Sequence, residues 1–332
     1  MQDTLWTLPK LMDMSGCYWS ACTLHAGVEL DVFTPLAEAP ASAAELAERL
    51  DLDERGLTML LDALAALELL DKQKEIYRTT PFAGQYLAAD SPEYLGHIIR
   101  HHHHLVESWA RLDEAVRTGQ PSRHRVSHDA GEKERESFLL GMLNLAMLLA
   151  PQVTSQIDLG GRRHLLDLGG GPGTYAIHFC LHNPGLRASI FDLPSSREIA
   201  ERTIRQFDLE DRIDFIAGDF QEDPFSGSYD VAWLSHVLHG EDEEGCLRML
   251  QKTVEALEPD GLLLVQEFIL DDSRDQPVFP ALFSLNMLVG TPSGKAYSDA
   301  EIREMLGSAG LREITRLPMD LPNGAGVICG RR

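Results

Sequence analysis

The sequence predicts an α/β protein in two parts, a mostly helical domain over residues 1–100 and, over 101–332, a helical linker leading into a doubly wound parallel sheet. Three observations carry that prediction. His164-Leu165-Leu166-Asp167-Leu168-Gly169-Gly170-Gly171-Pro172-Gly173-Thr174 reads as a buried strand running through a glycine-rich turn into a helix. Downstream of it, strand-length apolar runs alternate with helical periodicity, as a parallel sheet requires. Upstream, apolar residues keep helical spacing. A chain of 332 residues exceeds one ordinary core, and an apolar content of 44% can fill two.

In the first part, Ser42-Ala43-Ala44-Glu45 is a capping-box start for a helix carrying Leu46, Ala47 and Leu50. Leu57, Leu60, Leu61, Leu64 and Leu67 recur at the spacing of a second helix, and Ile76-Tyr77-Arg78-Thr79 reads as a short strand. Helix, helix and ribbon make a winged-helix-like pattern, which raises DNA binding as a rival function. The would-be recognition segment argues against it. Asp51, Asp53, Glu54, Asp62 and Glu68 stand there against Arg55 alone, and a phosphate surface repels acids. A dimerisation element is the better reading. From about Ile98 to Ile157 the pattern is again helical. His101-His102-His103-His104 lies inside it, where only His101 and His104 share a helix face, so the run offers at most two ligands to a metal and reads as a solvated or pocket-facing cluster.

The glycine turn marks a nucleotide-cofactor site, since glycines at 169, 171 and 173 let the backbone approach a ligand and the next helix presents free N–H groups. Its spacing is not that of a dinucleotide fingerprint. Thr174 stands where a small residue is required, and the acid, Asp167, precedes the first glycine. The resulting D-x-G-x-G-x-G resembles S-adenosylmethionine-dependent methyltransferases. Ala188 to Asp192 reads as a second strand ending in a carboxylate placed for ribose hydroxyls, with Leu193 following it. Ile213 to Phe220 reads as a third, whose Gly218-Asp219-Phe220 end suits an adenine amine and ring face. Tyr229 to His239 holds a fourth strand, with Ser235 at its end and His236 and His239 beyond. Histidine there suits general-base removal of a hydroxyl proton, with His239 favoured over His236.

Val237-Leu238-His239 followed by Cys246-Leu247-Arg248-Met249-Leu250 resembles the small-molecule O-methyltransferases of the plant caffeic-acid, acetylserotonin-like and polyketide-tailoring kind, over nearly the whole chain. The resemblance implies a winged-helix-like dimerisation domain, a homodimer and a Rossmann-like methyltransferase domain of seven strands. S-adenosyl-L-methionine would be the cofactor, S-adenosyl-L-homocysteine its product, and a phenolic or enolic hydroxyl the acceptor, with no metal. It implies His239 as base, Glu267 in Leu263-Leu264-Val265-Gln266-Glu267 as its orienting acid, and Met287 with Asn286 at the acceptor. Trp109, Met142 and Met147 are further wall candidates, with Tyr18 or Trp19 of a partner subunit. Two positions depart from the family pattern. Gly240-Glu241-Asp242-Glu243 replaces its Asp-x-x-Asp, and Ala296 replaces a second supporting glutamate. The base would then lean on Glu267 alone unless Glu241 or Asp242 folds back. The same departures keep open an alternative: relatives that bind S-adenosylmethionine yet carry out decarboxylation, hydroxylation or pericyclic chemistry.

With 29 basic against 52 acidic residues the net charge is −23, which disfavours nucleic acid and anionic membrane surfaces. Five cysteines without C-x-x-C spacing suggest neither a disulfide framework nor a zinc site, and a reducing cytoplasm fits. No targeting segment is expected, and the apolar stretch Phe138 to Ala150 reads as too short to span a bilayer.

Overall fold

The computed structural model describes residues 6–126, 131–225 and 227–332. The chain divides into two units, Met1–Val106 and Glu107–Arg332.

In the first unit the local signals act as expected. Ser42 and Glu45 close a full capping box at the helix Ala43–Leu50. Asp53 caps the helix Glu54–Ala66 by accepting from Gly56 N at 2.7 Å. Leu57, Leu61 and Leu64 of that helix pack with Leu46, Phe33, Leu70 and Tyr77 in the unit's core. Leu67, read as part of the helical stripe, is instead the C-cap and 41% exposed, because Glu68 turns the chain at φ 61°. The ribbon is larger than the sequence showed. β1 (Ala41–Ser42), β3 (Ile76–Thr79) and β2 (Leu70–Gln73) form an antiparallel sheet in the order β1-β3-β2. Leu70-Asp71-Lys72-Gln73 holds a single apolar residue and so lacks the alternation that marks a strand. The helix Leu8–Gly16 buries nothing within the unit. Trp6, Leu8, Leu11, Met12, Met14, Tyr18 and Trp19 are all at least half exposed.

The second unit is built on a seven-stranded sheet in the order β6-β5-β4-β7-β8-β10-β9. Its strands are β4 (His164–Leu168), β5 (Arg187–Asp192), β6 (Ile213–Ala217), β7 (Tyr229–Ser235), β8 (Leu257–Phe268), β9 (Arg312–Arg316) and β10 (Ala325–Arg331). All pairings are parallel except those of β10 with β8 and β9. Leu166 and Leu168 face one core and Leu165 the other, so β4 is buried on both sides, as its unbroken apolar run requires. From β4 the chain moves outward through β5 and β6, then returns to add β7 on β4's other side. That reversal makes the carboxyl ends of β4 and β7 a switch point, where open parallel sheets bind ligands. Gly169 and Gly171 follow one of those ends, and His236 and His239 follow the other.

The helix Glu132–Ser155 runs well past the apolar stretch that the sequence reading took as too short. Its segment Lys133–Ser155 is long and apolar enough by length and composition to cross a membrane. Ala146, Leu149, Ala150 and Val153 nonetheless pack into the sheet's core.

Candidate active site

The glycine turn is shaped by conformations that only glycine adopts cheaply. Gly169, Gly171 and Gly173 have φ of 68°, 52° and 80°. A Cβ on Gly173 would strike Ile190, and one on Gly169 would lie 2.8 Å from Val237 Cγ2 and 3.8 Å from Phe220 Cε1. At Gly171 it would meet nothing within 4 Å, so the turn opens there onto free space. Thr174, first in the helix Thr174–His182, holds a buried hydroxyl with no hydrogen-bond partner. An open glycine edge beside an unmet donor is the environment of a polar ligand.

Asp167 lies under this turn, 1% exposed, accepting from Ala176 N at 3.1 Å. Burial pushes its carboxyl up to about 7, the Ala176 bond draws it down, and nearby Asp192 adds to the rise. Asp192, at the end of β5, accepts from Gly171 N at 2.7 Å, from Leu193 N at 2.6 Å and from Ser196 Oγ at 2.8 Å. Sequence reasoning reserved this acid for a ligand and missed that it also braces the turn. Beyond β6, Gly218 N donates to Asp192 O at 2.9 Å, and Asp219 accepts from Gln221 N at 2.8 Å. Phe220 is half-buried beside them. The third strand ends at Ala217, so Gly218, Asp219 and Phe220 lie in the loop after it.

On the other side of the switch point, β7 ends at Ser235, in register with Gln266 of β8. The next residue, His236, takes φ 56°, a left-handed conformation costly for a side chain of that size, and is held there by its N–H donating to Gln266 O at 2.8 Å. This turn delivers His239 onto Glu267. The Glu267 side chain is 2% exposed, and its Oε2 lies 2.9 Å from His239 Nδ1. Burial alone would raise the Glu267 carboxyl. The adjoining charge and hydrogen bond of His239, with the charge of His236 close by, more than offset it and hold the group well below the usual carboxylate range. An ionised Glu267 takes the Nδ1 hydrogen of His239, leaving Nε2 as the nitrogen that can accept a proton.

His236, ranked second from the sequence, shares that carboxylate at 3.6 Å, beyond hydrogen-bond length, and its Nε2 lies 3.3 Å from Gln266 Nε2. Among the described residues His236, His239 and Glu267 also form a group that could hold a cation, their ligand atoms within 4.8 Å of one another. The run His101–His104 does not join such a group among those residues. His101 is buried, His102 and His103 are exposed, and the His103 ring lies 5.8 Å from that of His25. Neither acid of Gly240-Glu241-Asp242-Glu243 that could have folded back does so. Glu241 pairs with Arg125 at 2.7 Å, and Asp242 caps the helix Glu243–Ala256 through Gly245 N at 2.8 Å. Ala296 is buried, its N–H donating to Ser284 Oγ at 2.9 Å.

Helix Val278–Gly290 walls the histidine side. Phe283 meets the His239 ring edge-on at 4.8 Å, and Phe268 packs at 4.2 Å from the His236 ring and 4.8 Å from that of Phe283. Asn286 Oδ1 accepts from Trp109 Nε1 at 3.1 Å, and Met287 is buried nearby. Met142 and Met147 are half-buried on helix Glu132–Ser155. The phenylalanine cluster was missed from sequence, although Phe279 and Phe283 stand four apart on an apolar helix, the spacing of one face.

Comparison with known proteins gives the same picture. Residues 109–312 match the O-methyltransferase domain, and 12–89 the O-methyltransferase dimerisation domain. The chain is 35% identical, over 96% of its length and 94% of the relative's, to 3-hydroxy-5-methyl-1-naphthoate 3-O-methyltransferase of Streptomyces sahachiroi. Among solved structures it is similar to an O-methyltransferase family protein from Burkholderia thailandensis, with TM-score 0.87, 29% identity and 99% coverage of both chains. It is also similar to human N-acetylserotonin methyltransferase in complex with S-adenosylmethionine, with TM-score 0.86, 28% identity, and coverage of 100% and 99%.

Proposed function

The chain belongs to the O-methyltransferase family and is an S-adenosylmethionine-dependent enzyme acting on small molecules, and from that premise we propose that it methylates a hydroxyl of a flat aromatic acceptor with His239 as general base. The observation that carries this reading is the buried Glu267 held 2.9 Å from His239 Nδ1, one strand end away from an open glycine turn.

S-adenosylmethionine supplies the activated methyl group, so the protein's work is binding, alignment and proton removal. Asp167, Gly169, Gly171 and Gly173 hold the methionine portion. Asp192 and Leu193 hold the ribose, Gly218, Asp219 and Phe220 the adenine, and Ser235 closes the cradle at the end of β7. His239 Nε2 takes the acceptor's hydroxyl proton as the oxygen attacks, and Glu267 stabilises the imidazolium that forms. Met287, Asn286 and Trp109 form the acceptor wall, which Met142 and Met147 extend. The apolar wall favours an aromatic ring.

The N-terminal part, residues 1–100, is a winged-helix-like dimerisation domain ahead of the catalytic part, 101–332. Its exposed helix Leu8–Gly16 with Tyr18 and Trp19 is an apolar face of the kind a second subunit covers, so the enzyme works as a homodimer. Its five cysteines are free, consistent with a reducing cytoplasm.

Calorimetric titration with S-adenosylmethionine and S-adenosylhomocysteine, followed by a transfer assay on phenols, tests this reading. Binding of both with transfer to oxygen supports it. Cofactor binding without transfer to any hydroxyl would favour the non-methylating alternative.

A further inference from the structure

Among the described residues Arg123 is a half-buried cation lacking the partner that its neighbour has. Arg125 pairs with Glu241 at 2.7 Å, whereas among the described residues no carboxylate lies within ion-pair distance of Arg123, and its Nε is buried without a hydrogen-bond partner. Burial draws the guanidinium down from its ordinary value, and the charge of Glu134 works against that only at longer range. An uncompensated guanidinium in such a place is costly unless a ligand completes it.

Its location says which ligand. The N–H groups of Ser122 and Arg123 both donate to Val289 O at 3.1 Å, which pins the segment to the end of helix Val278–Gly290. The guanidinium lies over Gly290, where a Cβ would come within 2.6 Å of its Cζ and 3.0 Å of its Nε. Phe283, Met287 and Gly290 are spaced i, i+4 and i+7, one face of that helix. His239 rests on the Phe283 end of this face and Arg123 on the Gly290 end. Two helical turns separate them, about 10 Å along the axis, comparable to a two-ring aromatic molecule with a substituent at each end.

A plainer role would be to neutralise the helix's carboxyl end. Two of the carbonyls there already have donors, Val289 O from Ser122 and Arg123 N–H, and Met287 O from the N–H and hydroxyl of Thr291. Among the described residues the guanidinium donates to none of them.

We propose that Arg123 recognises an anionic group on the acceptor, making the substrate an aromatic hydroxy acid whose carboxylate pairs with Arg123 while its hydroxyl reaches His239. Arginine suits this because its planar fork matches a carboxylate in two hydrogen bonds. The inference rests on the proposed acceptor reading and narrows it.

The test uses 6-hydroxy-2-naphthoic acid and its carboxamide, titrated into the full-length protein saturated with S-adenosylhomocysteine, with kcat/KM for both measured under S-adenosylmethionine. The acid should bind and react better by about 10- to 100-fold, the range of a buried charge-assisted pair. In Arg123→Met the ratio should fall to near one, and Arg123→Lys should keep part of it. Equal binding of acid and amide by the wild type overturns the proposal, as does binding of neither, or a preference that survives in Arg123→Met. The wild-type ratio decides the matter even where the Met variant fails to fold. Transfer to other phenols, assayed alongside, separates a failure of the Arg123 assignment from a failure of the methyltransferase reading.

Discussion

The two halves of the site are made of different material. The proposed cofactor half is largely backbone, in which three left-handed glycines and a helix start, with the acids at the strand ends, all lie between Asp167 and Phe220. The proposed acceptor half is side chains drawn from Trp109, Arg123, His239, Glu267 and the helix Val278–Gly290, brought into one region only by the fold of the sheet and its helices. Backbone sites tolerate little change at single positions, since no other residue takes the same φ without cost. Side-chain sites can be retuned one residue at a time, which is why the proposal puts acceptor choice there.

The largest expected effect lies on the side-chain half. His239→Gln should lower turnover by roughly 10²- to 10⁴-fold, the usual share of a general base, while calorimetry finds cofactor affinity intact. If turnover at saturating cofactor is unchanged, the base is elsewhere and the division of labour between the halves is wrong. On the backbone half, Gly173→Ala combines a φ of 80° with a clash on Ile190. It should destabilise the protein by about 1–3 kcal/mol and weaken cofactor binding. Gly171→Ala, facing open space, should cost less in chemical denaturation, and equal losses would mean that crowding behind the turn is unimportant.

Asp192→Ala removes a brace and a ligand group together, so S-adenosylhomocysteine affinity should fall about tenfold or more, near 1.4 kcal/mol. An unchanged dissociation constant would remove Asp192 from the ribose site. A further effect, on stability and not on binding, concerns Asp167. Its carboxyl is raised to about 7 by burial, so between about pH 4 and 7 the folded chain binds more protons than the unfolded one, and stability falls as pH rises through that window. Asp167→Asn removes this dependence. Its melting temperature should therefore gain on the wild type from pH 5 to pH 8, and a constant gap would show that the acid is not strained by burial.

This contrast also explains what could be read in advance. The β4 strand, the glycine turn and the strand-end acids were legible because each is a local pattern whose meaning is complete within about ten residues. The capping box at Ser42 and the helix of Leu57, Leu61 and Leu64 were legible for the same reason. His239 came partly from its position after a strand and Glu267 from family likeness alone, since 28 residues separate them in sequence. β2 escaped notice because pairing with β3, rather than its own composition, makes it a strand. Arg123 and the Arg125 to Glu241 pair left no trace in the sequence. Whether a guanidinium is paired depends on where a distant helix ends.

The brace between Asp192 and Gly171 has one more consequence. Because the acid of β5 holds the turn's amide at 2.7 Å, the loop has its working shape before any nucleoside arrives, and the entropy of ordering it was surrendered during folding rather than on encounter. The Gly171 amide should exchange slowly with deuterium in the empty protein. A ribose engaging the same carboxylate, as proposed, would pass its pull directly to the turn, so the two ends of the ligand would be felt as one event.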